Sequence, residues 1–406
     1  MPAERLKDRL GPLGERIRED VAPRLDRPVT KVAALVERLA AALGPVLARL
    51  WQVLPPALRV GLVTALVLGC FAVELDGGAG SQPARTVAAS PAGDADGAAL
   101  PPDPADEVGT EATKERLLHP PGVLFGIATP EAPSASRTQQ VTEAAGEHPT
   151  VQEYFLKWNQ DFEQEAFEAS YQLGAMPLIT WEPWAGGDKA VDQPEYRLSR
   201  ITSGAHDAYL KRFAQAVKQA KGPVVLRFAH EMNETWYPWS EQRNGNRQGD
   251  YVAAWRHVHD VFKGQGVSNV IWLWCPDTQS ADKPPLSRFY PGDDYVDWMG
   301  TEAYSSDDAE SVGPLLDDTY DELTDLSDKP IFIGEAGSRP TNAKALWTQD
   351  FFSWLMDHPR VVGFVWFQFS DTEGGRYDWR FTTSPGTQEA FRRGLASHVL
   401  VSWPLH

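Results

Sequence analysis

The sequence predicts a (β/α)8 TIM barrel preceded by a transmembrane anchor and a disordered linker. Three observations carry that expectation. Between residues 117 and 402, short apolar runs alternate with amphipathic stretches, the rhythm of parallel strands each followed by a helix. That region is about 285 residues long, a usual barrel length. Carboxylates and aromatic rings recur directly after the apolar runs, where the strand C-termini of a barrel face its functional loops.

Each element has its own signature. Residues 1–57 mix Arg, Lys and Glu with Leu, Val and Ala, as in "KVAALVERLAAALGPVLARL", and read as a mildly basic amphipathic segment on the cytoplasmic side. Residues 58–75 hold a charge-free run from Val60 to Val73, flanked by Arg59 and by Glu74 and Asp76. The basic flank on the N-terminal side predicts an uncleaved signal anchor with the remainder outside the cell. A lipoprotein signal ending at Cys70, within "VLGC", and a secreted form are the alternatives. Residues 76–116 are rich in Gly, Ala, Pro, Ser and Asp without aromatic residues, so they cannot bury a core and read as a tether.

Strands are expected at 123–128 ("VLFGIA"), 150–155, 176–181 ("MPLITW") and 223–228 ("PVVLRF"). Four more are expected at 269–274, 295–300, 330–335 ("PIFIGE") and 361–367. The second is ambiguous, because "EYFLKWNQDF" suits a helix equally well. Helices are expected at 205–220, 250–264 and 345–358, among others.

Charge and composition exclude some classes. The net charge is -18, and it resides in the region after the anchor, where 27 Lys/Arg face 47 Asp/Glu between 77 and 406. Such a domain is a poor partner for nucleic acid, which needs a basic face, whereas a neutral, hydroxyl-rich substrate is not repelled. The chain has 15 Trp, which offers stacking surfaces as well as core. Its two cysteines, Cys70 and Cys275, give no disulfide framework.

The strand ends carry the chemistry. Strand three ends in Trp181-Glu182, strand four in His230-Glu231 and strand five in Cys275-Pro276-Asp277. Glu302 and Tyr304 come after strand six, Glu335 ends strand seven, and Trp366 and Gln368 mark strand eight. Glu231 and Glu335 therefore fall on opposite sides of an eight-stranded ring, as two carboxylates must to cleave a glycosidic bond between them. His230-Glu231 is not a zinc motif, since Glu234 occupies the position of the second histidine. No metal or cofactor is expected.

The segments "LRFAHEMNETWYPW", "FYPGDDYVDWMGTEAYS" and "KPIFIGEAGS", with "FGIATP" near the start, closely resemble glycoside hydrolase family 26. This is the β-mannanase and lichenase family of the retaining (β/α)8 glycosidases. The resemblance covers roughly 120–400. It implies that Glu231 is the general acid/base and Glu335 the nucleophile. It also implies that His230 shapes the sugar site, that Tyr304 approaches the nucleophile and that Trp366 forms the floor beneath the cleaved sugar. Arg227, on the same strand as His230, is expected to point into the barrel top beside Glu335. Glu182, Trp236 and Trp239 complete the substrate-binding set, the two tryptophans as stacking platforms, though core packing is an equal reading of Trp239.

A retaining mechanism predicts the two carboxyls about 5–5.5 Å apart. The expected substrate is a β-glycan, foremost β-1,4-mannan, with mixed-linkage β-glucan as the alternative, acted on by a monomer. The chain departs from many family members in having Glu234-Thr235 after "HEMN" and in the acidic Glu302, Asp307 and Asp308. Those departures bear on sugar choice. Two other classes are weighed against this reading: a barrel that binds carbohydrate without cleaving it, and a phosphate-using barrel, which lacks the glycine-rich loop it would need after strands seven or eight.

Overall fold

The computed structural model describes residues 110–186, 191–220, 222–305 and 311–402. All of these lie in one compact unit, Gly97–His406, while the unit Met1–Asp96 lies outside the described residues. The cytoplasmic segment 1–57, the anchor 58–75 with Cys70, and most of the linker 76–116 therefore fall outside them, as do Asp307 and Asp308. Among the described residues, no helix is long and apolar enough to cross a membrane.

Eight strands close into a parallel barrel in chain order. They are β1 (Leu124–Ala128), β2 (Val151–Lys157), β3 (Met176–Glu182), β4 (Val224–Phe228), β5 (Val270–Trp274), β6 (Trp298–Ser305), β7 (Ile331–Ser338) and β8 (Val361–Phe367). β8 pairs with β1 from Leu124↔Gly363 to Ala128↔Phe367, which closes the ring. The helices are α1 (Thr110–Leu118), α2 (Ala135–Ala145), α3 (Gln164–Gln172), α4 (Leu198–Thr202), α5 (Asp207–Gln219), α6 (Asp250–Gly264), α7 (Val312–Leu326), α8 (Lys344–Asp357) and α9 (Pro385–Ala396).

Alternation along the strands builds two cores. One, between strands and helices, includes Leu226, Phe228, Phe364 and Trp366. The other fills the barrel interior with Leu124, Val151, Leu178, Val225, Ile271, Trp298 and Phe332. Leu117 of α1 and Val401 join the interior cluster. α1 begins at Thr110, so the last residues read as linker are helical and belong to the barrel.

One open expectation is settled and two change. The ambiguous second strand is a strand, and its polar residues have partners on both faces: Gln152 donates to Thr138 of α2 at 2.7 Å, and Glu153 pairs with Arg227 inside the barrel. The sixth strand starts later than expected. Asp293–Tyr295 form a 3-10 turn after Gly292, whose φ of 102° is left-handed, and Asp297 turns back to accept from the Trp272 N–H and Lys114. β6 and β7 then run on to Ser305 and Ser338, pairing Glu302 with Glu335 and Tyr304 with Gly337.

Candidate active site

The site begins with β4, which carries Arg227 inward and then breaks. Ala229 (φ 47°) and Glu231 (φ 51°) both adopt left-handed backbone that non-glycine residues avoid. Strain of this kind costs about 1–3 kcal/mol per residue and persists only where neighbours enforce it. The neighbours are visible. Tyr251 donates its hydroxyl to the Ala229 carbonyl at 3.1 Å, and Trp239 donates its indole N–H to the His230 carbonyl at 2.6 Å. The Glu231 N–H itself donates to the Cys275 carbonyl at the end of β5, at 2.8 Å. The turn is thus pinned from three directions, and its purpose is to aim Glu231 into the mouth of the barrel.

Glu231 accepts one side-chain hydrogen bond, from the Trp236 indole at 2.7 Å. Loss of water around its carboxyl pushes its pKa well above the ordinary range. The charges of Asp277, Glu302 and Glu335 push the same way, and Arg227 opposes them. His230 is buried, with Nε2 at 3.1 Å from the Tyr237 hydroxyl. Burial, with the Arg227 charge, holds its pKa well below the usual value, so the ring is neutral.

Glu335 is held differently. Its Oε1 accepts from Arg227 Nη1 at 2.7 Å and its Oε2 from the Tyr304 hydroxyl. A bulge puts it there. Between Thr301↔Ile333 and Glu302↔Glu335, β7 uses one residue more than β6, so Glu335 shares the inner face with Phe332 despite the odd spacing. Gly334 is the extra residue. A Cβ on it would stand 2.7 Å from Cys275 Sγ and 2.9 Å from Arg227 Nε, so any side chain there would displace the floor beneath Glu335. Burial and the nearby Glu335 charge push the Tyr304 phenol well above its usual pKa, which keeps it a donor.

Arg227 is the centre of that floor and is fully buried. Besides Glu335, its Nη1 reaches Thr180 Oγ1 at 2.9 Å and Glu153 Oε1 at 3.2 Å, and its Nη2 pairs with Glu302. Cys275 donates its thiol to Glu302 at 3.1 Å. Three carboxyls around one guanidinium cannot all ionise in so dry a place. Accordingly Glu153 is pushed to about 8, by burial first and then by the Glu335 charge, and Glu302 to about 8, by burial.

A cleft of about 610 Å3 is lined by Lys157, Glu182, Trp184, Tyr237, Phe367 and Phe369 among others; of these, Tyr237 touches His230 and Phe367 packs on Tyr304. Glu182, part of that lining, is buried and pushed to about 7 by that burial. A smaller pocket of about 260 Å3, near Lys114 and Asp297, touches none of these carboxylates.

Several expected residues therefore meet at the barrel mouth: Glu231, Glu335, His230, Arg227, Tyr304, Glu182 and Trp236. Of the three tryptophans expected to stack on sugar, only Trp236 is open, at 48% exposure. Trp239 is fully buried and stacked on Tyr237 with ring centroids 4.2 Å apart, so it acts as a post behind His230. Trp366 is a correction. Strand alternation turns it with Phe364 toward Phe351 of α8 and Phe391 of α9, and its indole donates to the Trp379 carbonyl at 3.0 Å. The inward ring at that end of β8 is Phe367, which packs edge-on against Tyr304. Glu302 is a second correction: it is fully buried and paired with Arg227, and does not contribute to an acidic rim. Glu153, Thr180 and Trp379, whose ring lies 4.8 Å from Tyr304, were not foreseen. The signal for Glu153 was a lone acid inside a run that had to be a strand for the barrel to close.

An eight-stranded parallel barrel with two glutamates at its C-terminal mouth, one dry and one bridged by arginine and tyrosine, defines the architecture of the glycosidase barrels. More narrowly, residues 179–333 match the model of glycosyl hydrolase family 26, and the barrel belongs to that family. Endoglucanase H of Acetivibrio thermocellus is 30% identical over 290 residues, which is 68% of this chain and 31% of that protein. A mannan endo-1,4-beta-mannosidase of Bacillus subtilis (strain 168) is 28% identical over 167 residues, 39% of this chain and 43% of that one. The chain thus spans less than half the length of these relatives. Among solved structures, a GH26 beta-mannanase from Bacteroides ovatus superposes with a TM-score of 0.57 at 22% identity, over 72% of this chain and 94% of its own. At that identity the likeness speaks for the fold.

Proposed function

We propose that the protein is a retaining endo-β-glycanase, with Glu231 as acid/base and Glu335 as nucleophile. The observation that carries this reading is the contrast in how the two carboxyls are held. Glu335 has both oxygens occupied by donors, while Glu231 sits where a proton is retained. In the first step Glu335 attacks the anomeric carbon and Glu231 gives its proton to the departing glycosidic oxygen. In the second, Glu231 takes a proton from water, whose oxygen displaces Glu335 and releases the sugar. His230 and Tyr237 would border the sugar, and Trp236 would stack on the chain next to Glu231.

For the substrate we favour β-1,4-mannan, supported by the mannan endo-1,4-beta-mannosidases among the relatives. One observation favours a β-glucan instead: Endoglucanase H aligns over 290 residues, against 167 for the Bacillus subtilis (strain 168) mannosidase. Assay of the full chain on mannan, mixed-linkage β-glucan and xylan separates these. Glu335→Ala is expected to lose roughly 10^4-fold or more in kcat. Activity surviving in that variant defeats the nucleophile assignment, and an inactive folded wild type favours a binding barrel. We further propose that residues 58–75 tether the enzyme to the outer face of the membrane. A chain lacking them should leave the membrane fraction, and its retention there would refute the tether.

A further inference from the structure

Beside the Glu231 turn lies an ion cluster that the double displacement does not use. Lys283, in the loop after β5, places Nζ 3.0 Å from Asp277 Oδ2, against Glu234 Oε1, and 2.5 Å from the Thr278 carbonyl. These three charged side chains are largely shielded, at 19% exposure for Lys283, 18% for Asp277 and 13% for Glu234. Asp277 is also stitched to the turn. Its N–H donates to Asn233 Oδ1 at 2.9 Å, and its carbonyl accepts from Asn233 Nδ2 at 2.8 Å. Asn233 is only two residues from Glu231, so backbone bonds fix the Asp277 carboxylate next to the acid/base. Glu234 lies one residue further on, with its N–H bonded to the Glu231 carbonyl at 3.0 Å.

The charged and titratable groups facing Glu231 are Arg227 from β4, Tyr237 from the loop after it, Asp277 after β5, Glu302 from β6 and Glu335 from β7. Arg227 is the one cation among them, and its guanidinium is already shared by Glu153, Glu302 and Glu335. Nothing on the floor is left to offset Asp277. Lys283 does so from the loop side. A carboxyl flanked by an uncompensated carboxylate holds its proton too tightly to pass it on.

We propose that Lys283 is a positioning residue for Glu231: anchored on Glu234, it binds Asp277, offsets the aspartate's charge and lets Glu231 release its proton to a leaving group that cannot depart unaided. The inference rests on Glu231 being the acid/base. It is tested on the full chain with Lys283→Met, Lys283→Arg and the double variant Lys283→Met/Asp277→Asn. Glu231 is followed by carbon-13 NMR of glutamate-labelled protein, its signal identified by its loss in Glu231→Gln. Rates are compared on the polysaccharide and on a dinitrophenyl glycoside, whose leaving group needs no proton.

In Lys283→Met the Glu231 titration should move up by about one pH unit. The polymer rate should fall, with the aryl rate little changed. Lys283→Arg should resemble wild type, and Asp277→Asn added to Lys283→Met should bring the titration back down, because the charge needing an offset is gone. A folded Lys283→Met whose Glu231 titrates as in wild type overturns the proposal. So do polymer and aryl rates that fall together without recovery in the double variant. Failure of the underlying reading looks different: Glu231→Gln would then leave the polymer rate unchanged.

Discussion

Glu231 and Glu335 are both glutamates at the mouth of the barrel, held in opposite ways. Glu335 stands on a strand, and both its oxygens are fixed by side chains from β4 and β6, deep against a buried arginine. Glu231 stands on a left-handed turn, with one hydrogen bond from a half-exposed tryptophan and other carboxylates around it. The difference teaches that the roles are written in the surroundings. A guanidinium and a phenol make a seat for an anion, whereas dryness and like charge make a seat for a proton.

The most damaging way to break this contrast is to remove the cation. Arg227→Met leaves Glu153, Glu302 and Glu335 facing one another without compensation. Breaking one partner out of a buried ionic cluster costs about 3–5 kcal/mol, so denaturant midpoints should fall steeply and activity with them. A variant of near wild-type stability would show that the carboxyls accommodate one another by protonation alone.

A second change sharpens the contrast through pH. Glu302 is raised to about 8 in the fold, against an ordinary value near 4.3 when unfolded. Between those values the folded state binds more protons than the unfolded one. Stability contributed by this group is therefore fully present below about 4.3 and is lost as pH rises toward 8. Glu302→Gln keeps the shape and deletes the titration, so unfolding free energy should fall less between pH 5 and 8 than in wild type. Equal slopes in denaturation series across that range would count against a protonated Glu302.

Next in size is Tyr304→Phe, which removes one of two donors to Glu335. A hydrogen bond to a charged group is worth about 1.5–3 kcal/mol, so kcat/KM should drop by roughly 10- to 150-fold with the fold intact. An unchanged rate would mean that Arg227 alone suffices to hold Glu335 in place.

The barrel and its pair of glutamates were legible because both derive from periodicity. Apolar runs mark strands, and the residues at the C-terminal end of each run lie at the mouth. What periodicity could not give was orientation wherever alternation is broken or shared. Trp366 and Phe367 are neighbours in the sequence, and only the placement of Phe364 against α8 decides that Trp366 faces the helices. Glu335 reaches the interior only through the bulge at Gly334, which one extra residue in β7 creates and no local motif announces. Glu302 read as a rim acid because nothing in "TEAYSSDD" reveals that Arg227 lies beneath it. Long-range partners, not local pattern, decide such cases.

The smallest expected effect separates the two things Trp236 does. Its indole N–H favours the ionised form of Glu231, and its exposed face is free to stack on substrate. Trp236→Phe keeps a ring and deletes the donor. Glu231 should then hold its proton to slightly higher pH, and the alkaline limb of kcat/KM should move upward by a few tenths of a pH unit, with KM little changed. Trp236→Ala deletes both and should raise KM as well, by roughly tenfold for about 1.4 kcal/mol of lost stacking. Because the side chain is half exposed, neither variant should unfold the protein. If Trp236→Phe moves KM and leaves the pH limb in place, the indole serves the sugar alone. Glu231 would then be tuned entirely by its dry surroundings and by the carboxylates around it.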